Sequence, residues 1–189
     1  MMKRASVLAA LGAVFLAAGA AQAGVITNGG FETGDLTAWT ASGHDLAFVD
    51  TEPHSGVFSF RGYDNSGFAT LEQTFATTAG QTYDFSFWSF SSGLDAGNIL
   101  RFQFDAGPIV GVTNTTTYAQ TVSSFLAGGP STTLKFFFET DDGTGTWRID
   151  DVDAVASVPL PSSALMGLGL LGGLAIALRR RKRSVATIA

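Results

Sequence analysis

The chain has no cysteine and only two histidines among its 189 residues. The first absence excludes disulfides, thiolate nucleophiles and thiolate metal sites. With the scarcity of histidine, the lack of a G-x-S-x-G elbow or an H-E-x-x-H pair removes the usual parts of nucleophilic and zinc catalysis. His44-Asp45 lies in a Gly-rich loop with no identifiable serine partner, so no catalytic residue is assigned. A glycosidase needs only two carboxylates at a suitable separation, and the sixteen acids do not sort into such a pair by sequence. Basic residues are scarce where they would matter. Between residues 24 and 158 only Arg61, Arg101, Lys135 and Arg148 are basic, while all sixteen acids lie there, a net charge of −12 that the whole-chain value of −5 conceals. Such a segment repels nucleic acid and anionic lipid, and its carboxylates suit hard cations or serve solubility.

Both termini read as address signals. Lys3-Arg4, the apolar stretch Ala5 to Ala20 and the A-x-A site Ala21-Gln22-Ala23 form a secretory signal peptide over residues 1–23, with a mature start at Gly24. At the other end, residues 157–189 carry Val158-Pro159-Leu160-Pro161-Ser162, then an apolar run from Ala164 to Leu178, then Arg179-Arg180-Arg181-Lys182-Arg183. With Ser162-Ser163 the run is just long enough for a span, which takes about 17–25 residues. The basic cluster behind it would stay cytoplasmic and leave everything before Val158 outside. This tail resembles the PEP-CTERM sorting signals, most closely their Val-Pro-Leu-Pro variant. The resemblance implies a membrane processing partner of the exosortase type, recognition at the Pro motif, and a protein anchored in the membrane and then placed at the cell surface or in an extracellular polysaccharide matrix. A plain single-span anchor is the other reading.

The mature part has the length for a core without disulfides. It reads as one all-β domain over residues 24–156. Eight stretches alternate or carry β-formers: Asp45–Thr51, Val57–Gly62, Phe68–Thr77, Gln81–Ser91, Ile99–Asp105, Tyr118–Leu126, Thr132–Thr140 and Thr146–Val155. Turn-rich segments such as Gly128-Gly129-Pro130 separate them, and no amphipathic helix intervenes, so an antiparallel two-sheet sandwich follows. The period of two assigns Tyr83, Phe85, Phe87, Leu100, Phe102, Phe104, Leu134, Phe136 and Phe138 to the core. It turns Trp88 and Phe90, Arg101 and Gln103, and Lys135 and Phe137 outward. Rings beside amide and guanidinium groups are what a carbohydrate site needs, because a sugar stacks its apolar side and hydrogen-bonds its hydroxyls. Trp88, Arg101 and Gln103 are therefore the expected ligand-binding residues. For Trp88, Phe90 and Phe137, cover by a loop or terminus is the alternative.

Two further motifs bracket the domain: Asn28-Gly29-Gly30-Phe31-Glu32-Thr33-Gly34-Asp35-Leu36-Thr37-Ala38-Trp39 and Trp147-Arg148-Ile149-Asp150-Asp151-Val152. With His54-Ser55-Gly56 and Gly80 to Trp88 between them, their order resembles galactose-binding-like jelly rolls, in particular carbohydrate-binding modules of families 4, 9 and 22. The resemblance implies a jelly-roll fold and a structural calcium at the positions of Glu32 and the pair Asp150 and Asp151. Clustered carboxylates make such an oxygen site; capping of turns by Glu32 and Asp150 is the competing reading. Three functions remain open: a non-catalytic exported protein that binds polysaccharide, a structural or protein-binding surface component with no sugar site, and a glycan-active enzyme.

Overall fold

The computed structural model describes residues 23–43, 46–64, 67–94, 97–139 and 145–158. The expected signal peptide up to Gln22, His44-Asp45, Pro159 to Ser162 and the apolar and basic segments after them lie outside the described residues. All described elements are strands: β1 Thr40–Ser42, β2 Leu46–Asp50, β3 Ser59–Tyr63, β4 Ala69–Ala76, β5 Thr82–Ser91, β6 Ile99–Phe104, β7 Val110–Gly111, β8 Ala119–Leu126, β9 Ser131–Glu139 and β10 Trp147–Ala156. They form two five-stranded antiparallel sheets in the orders β1-β4-β9-β6-β7 and β2-β3-β10-β5-β8, a jelly-roll-like sandwich. Each of the eight expected strands is present to within a residue or two at its ends; the short β1 and β7 are additional.

Alternation explains why the sheets face each other as they do. On β5, Tyr83, Phe85 and Phe87 are buried, and on β9, Leu134, Phe136 and Phe138 are fully buried. Their rings meet across the gap: Phe85 packs on Phe102 at 5.4 Å, Phe87 on Phe136 at 5.0 Å, and Phe60 on Phe138 at 5.3 Å between centroids. Burial of one such side chain is worth about 1.5–3 kcal/mol, so a Phe-rich interior supplies what disulfides supply elsewhere. Phe104 alone of the nine expected core residues is only partly buried, and it stacks on Phe125 at 4.0 Å.

The N-terminal motif is a plug. Phe31 is fully buried and stacks on Trp39 at 5.6 Å, and the Trp39 indole N–H donates to the Asn28 carbonyl at 3.0 Å. Asp35 closes the turn behind it by accepting from Thr33 Oγ1 at 2.7 Å and from the Thr37 amide at 2.9 Å. Gly29 admits β10 at close range, since a Cβ there would sit 1.9 Å from the Val152 carbonyl oxygen. That contact joins the first motif to the last, with the Val152 amide donating to the Gly29 carbonyl.

Candidate functional site

The sandwich has two outer faces, and they differ. On the β2-β3-β10-β5-β8 sheet, Trp88 and Phe90 of β5 stand opposite Asp150 and Arg148 of β10, and Arg148 stands opposite Arg61 of β3. The segment between β2 and β3 folds over them. His54 stacks on Trp88 with centroids 3.8 Å apart and ring planes 12° apart, and Tyr118 meets His54 edge-on at 5.5 Å. Arg148, 5% exposed, pairs with Asp50 at 3.0 Å and with Glu52, and its guanidinium lies 5.0 Å from the Phe90 ring. Tyr118 donates its hydroxyl to the Glu52 carbonyl at 2.8 Å, and burial holds that hydroxyl well above its ordinary pKa, fixing it as a donor. A cation this desolvated beside Asp50, 11% exposed, and an aromatic face is a strut, because breaking a buried pair leaves a poorly compensated charge.

The three acids expected to hold calcium hold the same segment. Glu32 Oε1 accepts from the amides of Val57 at 2.9 Å and Phe58 at 3.0 Å. Asp150 Oδ2 accepts from the amides of His54 and Ser55 at 2.8 and 3.1 Å, and Asp151 bonds His54 Nδ1 and Ser55 Oγ, both at 2.7 Å. Gly56 lies at φ 69°, and a Cβ there would fall 2.2 Å from Glu32 Oε1, so glycine is required on both counts. Strict alternation would send Asp150 and Asp151 to opposite faces. A bulge between Asp150 and Asp153, with Asp151 at φ 48°, turns both toward residues 54 and 55. The acids crowd one point: a Cβ on Gly30 would lie 3.7 Å from Asp151 Oδ1 and from Glu32 Cγ, and 3.8 Å from Asp150 Oδ1. Burial pushes the Asp150 carboxyl up to about 6; the amide bonds oppose the rise and the Asp151 charge adds to it. With their oxygens turned to N–H and O–H donors, no cluster of three or more such side chains among the described residues is arranged as a metal cage.

The other face belongs to the β1-β4-β9-β6-β7 sheet. Phe137 of β9 sits in register between Thr70 of β4 and Arg101 of β6; one step along, Lys135 sits between Glu72 and Gln103. Two contacts on this face join neighbouring strands, Lys135 to Glu72 at 2.8 Å and Thr74 to Thr133 at 2.7 Å, and the Arg101 guanidinium reaches across β9 to lie 5.3 Å from the ring of Phe68. Lys135 and Glu72 are 37% and 36% exposed, against 5% and 11% for Arg148 and Asp50, and Phe68 is 48% exposed. Half-buried rings flanked by a guanidinium, an amide, an ammonium and a carboxylate thus lie open on adjacent strands about 4.8 Å apart.

Arg101 and Gln103 therefore share a face, and Trp88 is on the opposite side of the molecule. The three expected ligand-binding residues are not brought to one place, because alternation fixes the face of a strand within its own sheet but not which sheet the strand joins. The indole of Trp88 is stacked by His54, 34 positions away, a pairing without a sequence signal. Phe68, Thr70 and Glu72 escaped attention as members of the open face; the alternation of β4 carries the signal for them. Val158, the one described residue of the Pro motif, is 68% exposed just past β10.

No family model and no curated protein matches the chain. Solved structures do. The chain is similar to the carbohydrate-binding module TmCBM61 in complex with β-1,4-galactotriose, at 21% identity and TM-score 0.58, over 71% of this chain and 99% of that one. It is similar to the CBM22-1 xylan-binding domain of Paenibacillus barcinonensis Xyn10C, at 18% identity and TM-score 0.53, over 75% and 100%. It is also similar to a cyclase from Fischerella sp. TAU in complex with 4-(1H-indol-3-yl)butan-2-one, at 18% identity and TM-score 0.56, over 75% and 100%. At these identities the likeness establishes a fold shared by carbohydrate-binding modules and at least one enzyme.

Proposed function

We propose that this chain is an exported, non-catalytic surface or matrix protein that binds polysaccharide through the outer face of the β1-β4-β9-β6-β7 sheet. One observation carries the reading: half-buried Phe137 sits beside Arg101 and Gln103 on a face whose Lys135, Glu72 and Phe68 are more than a third exposed, while residues 51–58 fold over the opposite face. A ring stacks the C–H face of a pyranose, and the flanking groups donate to and accept from its hydroxyls. The similarity to modules solved with galactotriose and described as xylan-binding supports a glycan as the ligand class. Arg101 and Gln103 remain in the proposed site and Trp88 leaves it.

Delivery to the surface is proposed from the two terminal signals. The signal peptide over residues 1–23 exports the chain, and Val158, Pro159, Leu160, Pro161 and Ser162 form the motif that an exosortase-type enzyme recognises before or at release from the membrane. A structural calcium is proposed at Glu32 with Asp150 or Asp151. Carboxylates crowded at Gly30, one of them with a raised pKa, gain from a hard dication once their free lone pairs turn toward it. The functional test is retention of residues 24–158 on a panel of immobilised polysaccharides, including β-1,4-galactan and xylan. Retention by at least one is expected, and no retention by any would favour a structural surface component.

A further inference from the structure

From Ala106 to Leu134 the chain carries no charged residue, although the exported part has a net charge of −12. That segment contains β7 and β8, the edge strands of the two sheets on the same side of the sandwich. One side wall of a strongly acidic molecule is thus built from a stretch without charge. The opposite wall is different: its edges are β1, of three residues, and β2, which carries Asp50.

Exposed edge strands are normally blunted by short length, charge, proline or a bulge. β8 has none of these. It is eight residues long, Ala-Gln-Thr-Val-Ser-Ser-Phe-Leu, and pairs with β5 without a break from Ser89 opposite Ala119 to Thr82 opposite Leu126. The Ala127 amide bonds the Gln81 carbonyl at the end of that ladder. Alternation from that bond turns the amides and carbonyls of Gln120, Val122, Ser124 and Leu126 away from β5 toward the free edge. Val122 is 70% exposed and Leu126 69%, and Ile109 and Val110 beside β7 are 55% and 38% exposed. An apolar cleft of about 340 Å³ opens on the same wall between the sheets, lined by Phe102, Phe104, Val110, Phe125 and Leu126 among others.

We propose that β8 pairs antiparallel with β8 of a second copy of this chain, joining two five-stranded sheets into one of ten strands. An edge strand is self-complementary about a two-fold axis, so a second copy needs no further matching surface. Charge favours this wall: β8 itself brings no carboxylate, and the nearest are Asp84, opposite Ser124 on β5, and Asp105 at the cleft. Salt should therefore strengthen the association by screening the remaining repulsion, the opposite of an ionic interface.

The test uses residues 24–158, which hold all ten strands and the whole hydrophobic core. Sedimentation should show a dimer that tightens as salt rises from about 50 mM to about 500 mM. Val122→Lys and Ser124→Lys each place a cation on both sides of the two-fold and should weaken it at least about tenfold. Val57→Lys, on the loop outside this wall, should leave it unchanged. Hydrogen exchange supplies a readout that needs no variant: the amides of Gln120, Val122, Ser124 and Leu126 should be protected at high protein concentration and exposed on dilution. The proposal is overturned by a chain monomeric to about 0.1 mM, which leaves the edge to some other strand. Folded Lys variants that dimerise unchanged, a dimer dissolved by salt, or rapid exchange of those amides at every concentration would each overturn it too.

Discussion

The two outer faces of this sandwich hold the same ingredients and use them differently. Each presents two of the four basic residues between residues 24 and 158, each has aromatic rings beside them, and each has acids within reach. On the β2-β3-β10-β5-β8 face a loop closes over Trp88, Arg148 is desolvated against Asp50, and Glu32 and Asp150 cap the loop's amides while Asp151 bonds its side chains. On the β1-β4-β9-β6-β7 face the Lys135–Glu72 ion pair stays more than a third exposed and the contacts named remain within the sheet. Residue type alone does not mark a binding face. What distinguishes them is how far the partnered groups are buried: Arg148 with Asp50 holds structure out of water, while Lys135 with Glu72 and Gln103 with the Gly107 carbonyl stay within reach of a ligand.

The comparison is most easily broken at Arg148. Arg148→Ala should destabilise the domain by about 3 kcal/mol, the low end for breaking a buried pair, since Asp50 then keeps only the more distant Arg61, at 3.9 Å. The counterpart on the open face, Lys135→Ala, should cost at most about 1 kcal/mol. Urea unfolding of both variants measures the contrast, and equal losses would mean that the two faces are not different in kind.

Calcium and pH sharpen the account of the covered face. At a hundredfold excess over its dissociation constant, calcium should raise the stability of chelated protein by about 2.7 kcal/mol, and Glu32→Ala should remove the gain. Without calcium, Asp150 has a folded pKa of about 6 against an ordinary 3.8, so the folded state binds the extra proton between those values. The contribution of Asp150 to stability is therefore present below about pH 4 and lost as pH rises to about 6. A dication needs the carboxylate, so saturating calcium should reverse that slope. Melting curves from pH 4 to 7 with and without the ion read both effects, and superimposable curves would leave amide capping as the whole role of these acids.

Trp88→Ala is the smaller test on the same side. Its half-buried indole, stacked by His54, should account for about 2 kcal/mol of stability, with polysaccharide retention unchanged.

The strands were legible because period-2 alternation is strong where one side is packed with Phe, as in β5, β6 and β9. β1 and β7, at three and two residues, are too short to show a period. The site was legible by halves. Outward residues of each strand followed from alternation, but whether Trp88 and Arg101 share a face depends on strand order, which local sequence does not encode. The convergence of Asp150 and Asp151 on residues 54 and 55 depends on a bulge, where alternation itself fails.

The central claim is that the open face binds glycan and the covered face does not. It is tested most directly by comparing Phe137→Ala with Trp88→Ala on whichever polysaccharide retains the wild-type domain. Phe137→Ala should weaken retention at least about tenfold, equivalent to about 1.4 kcal/mol, while its melting temperature stays near wild type. Retention unchanged in Phe137→Ala and lost in a folded Trp88→Ala would contradict the assignment and move the site to the face now read as structural.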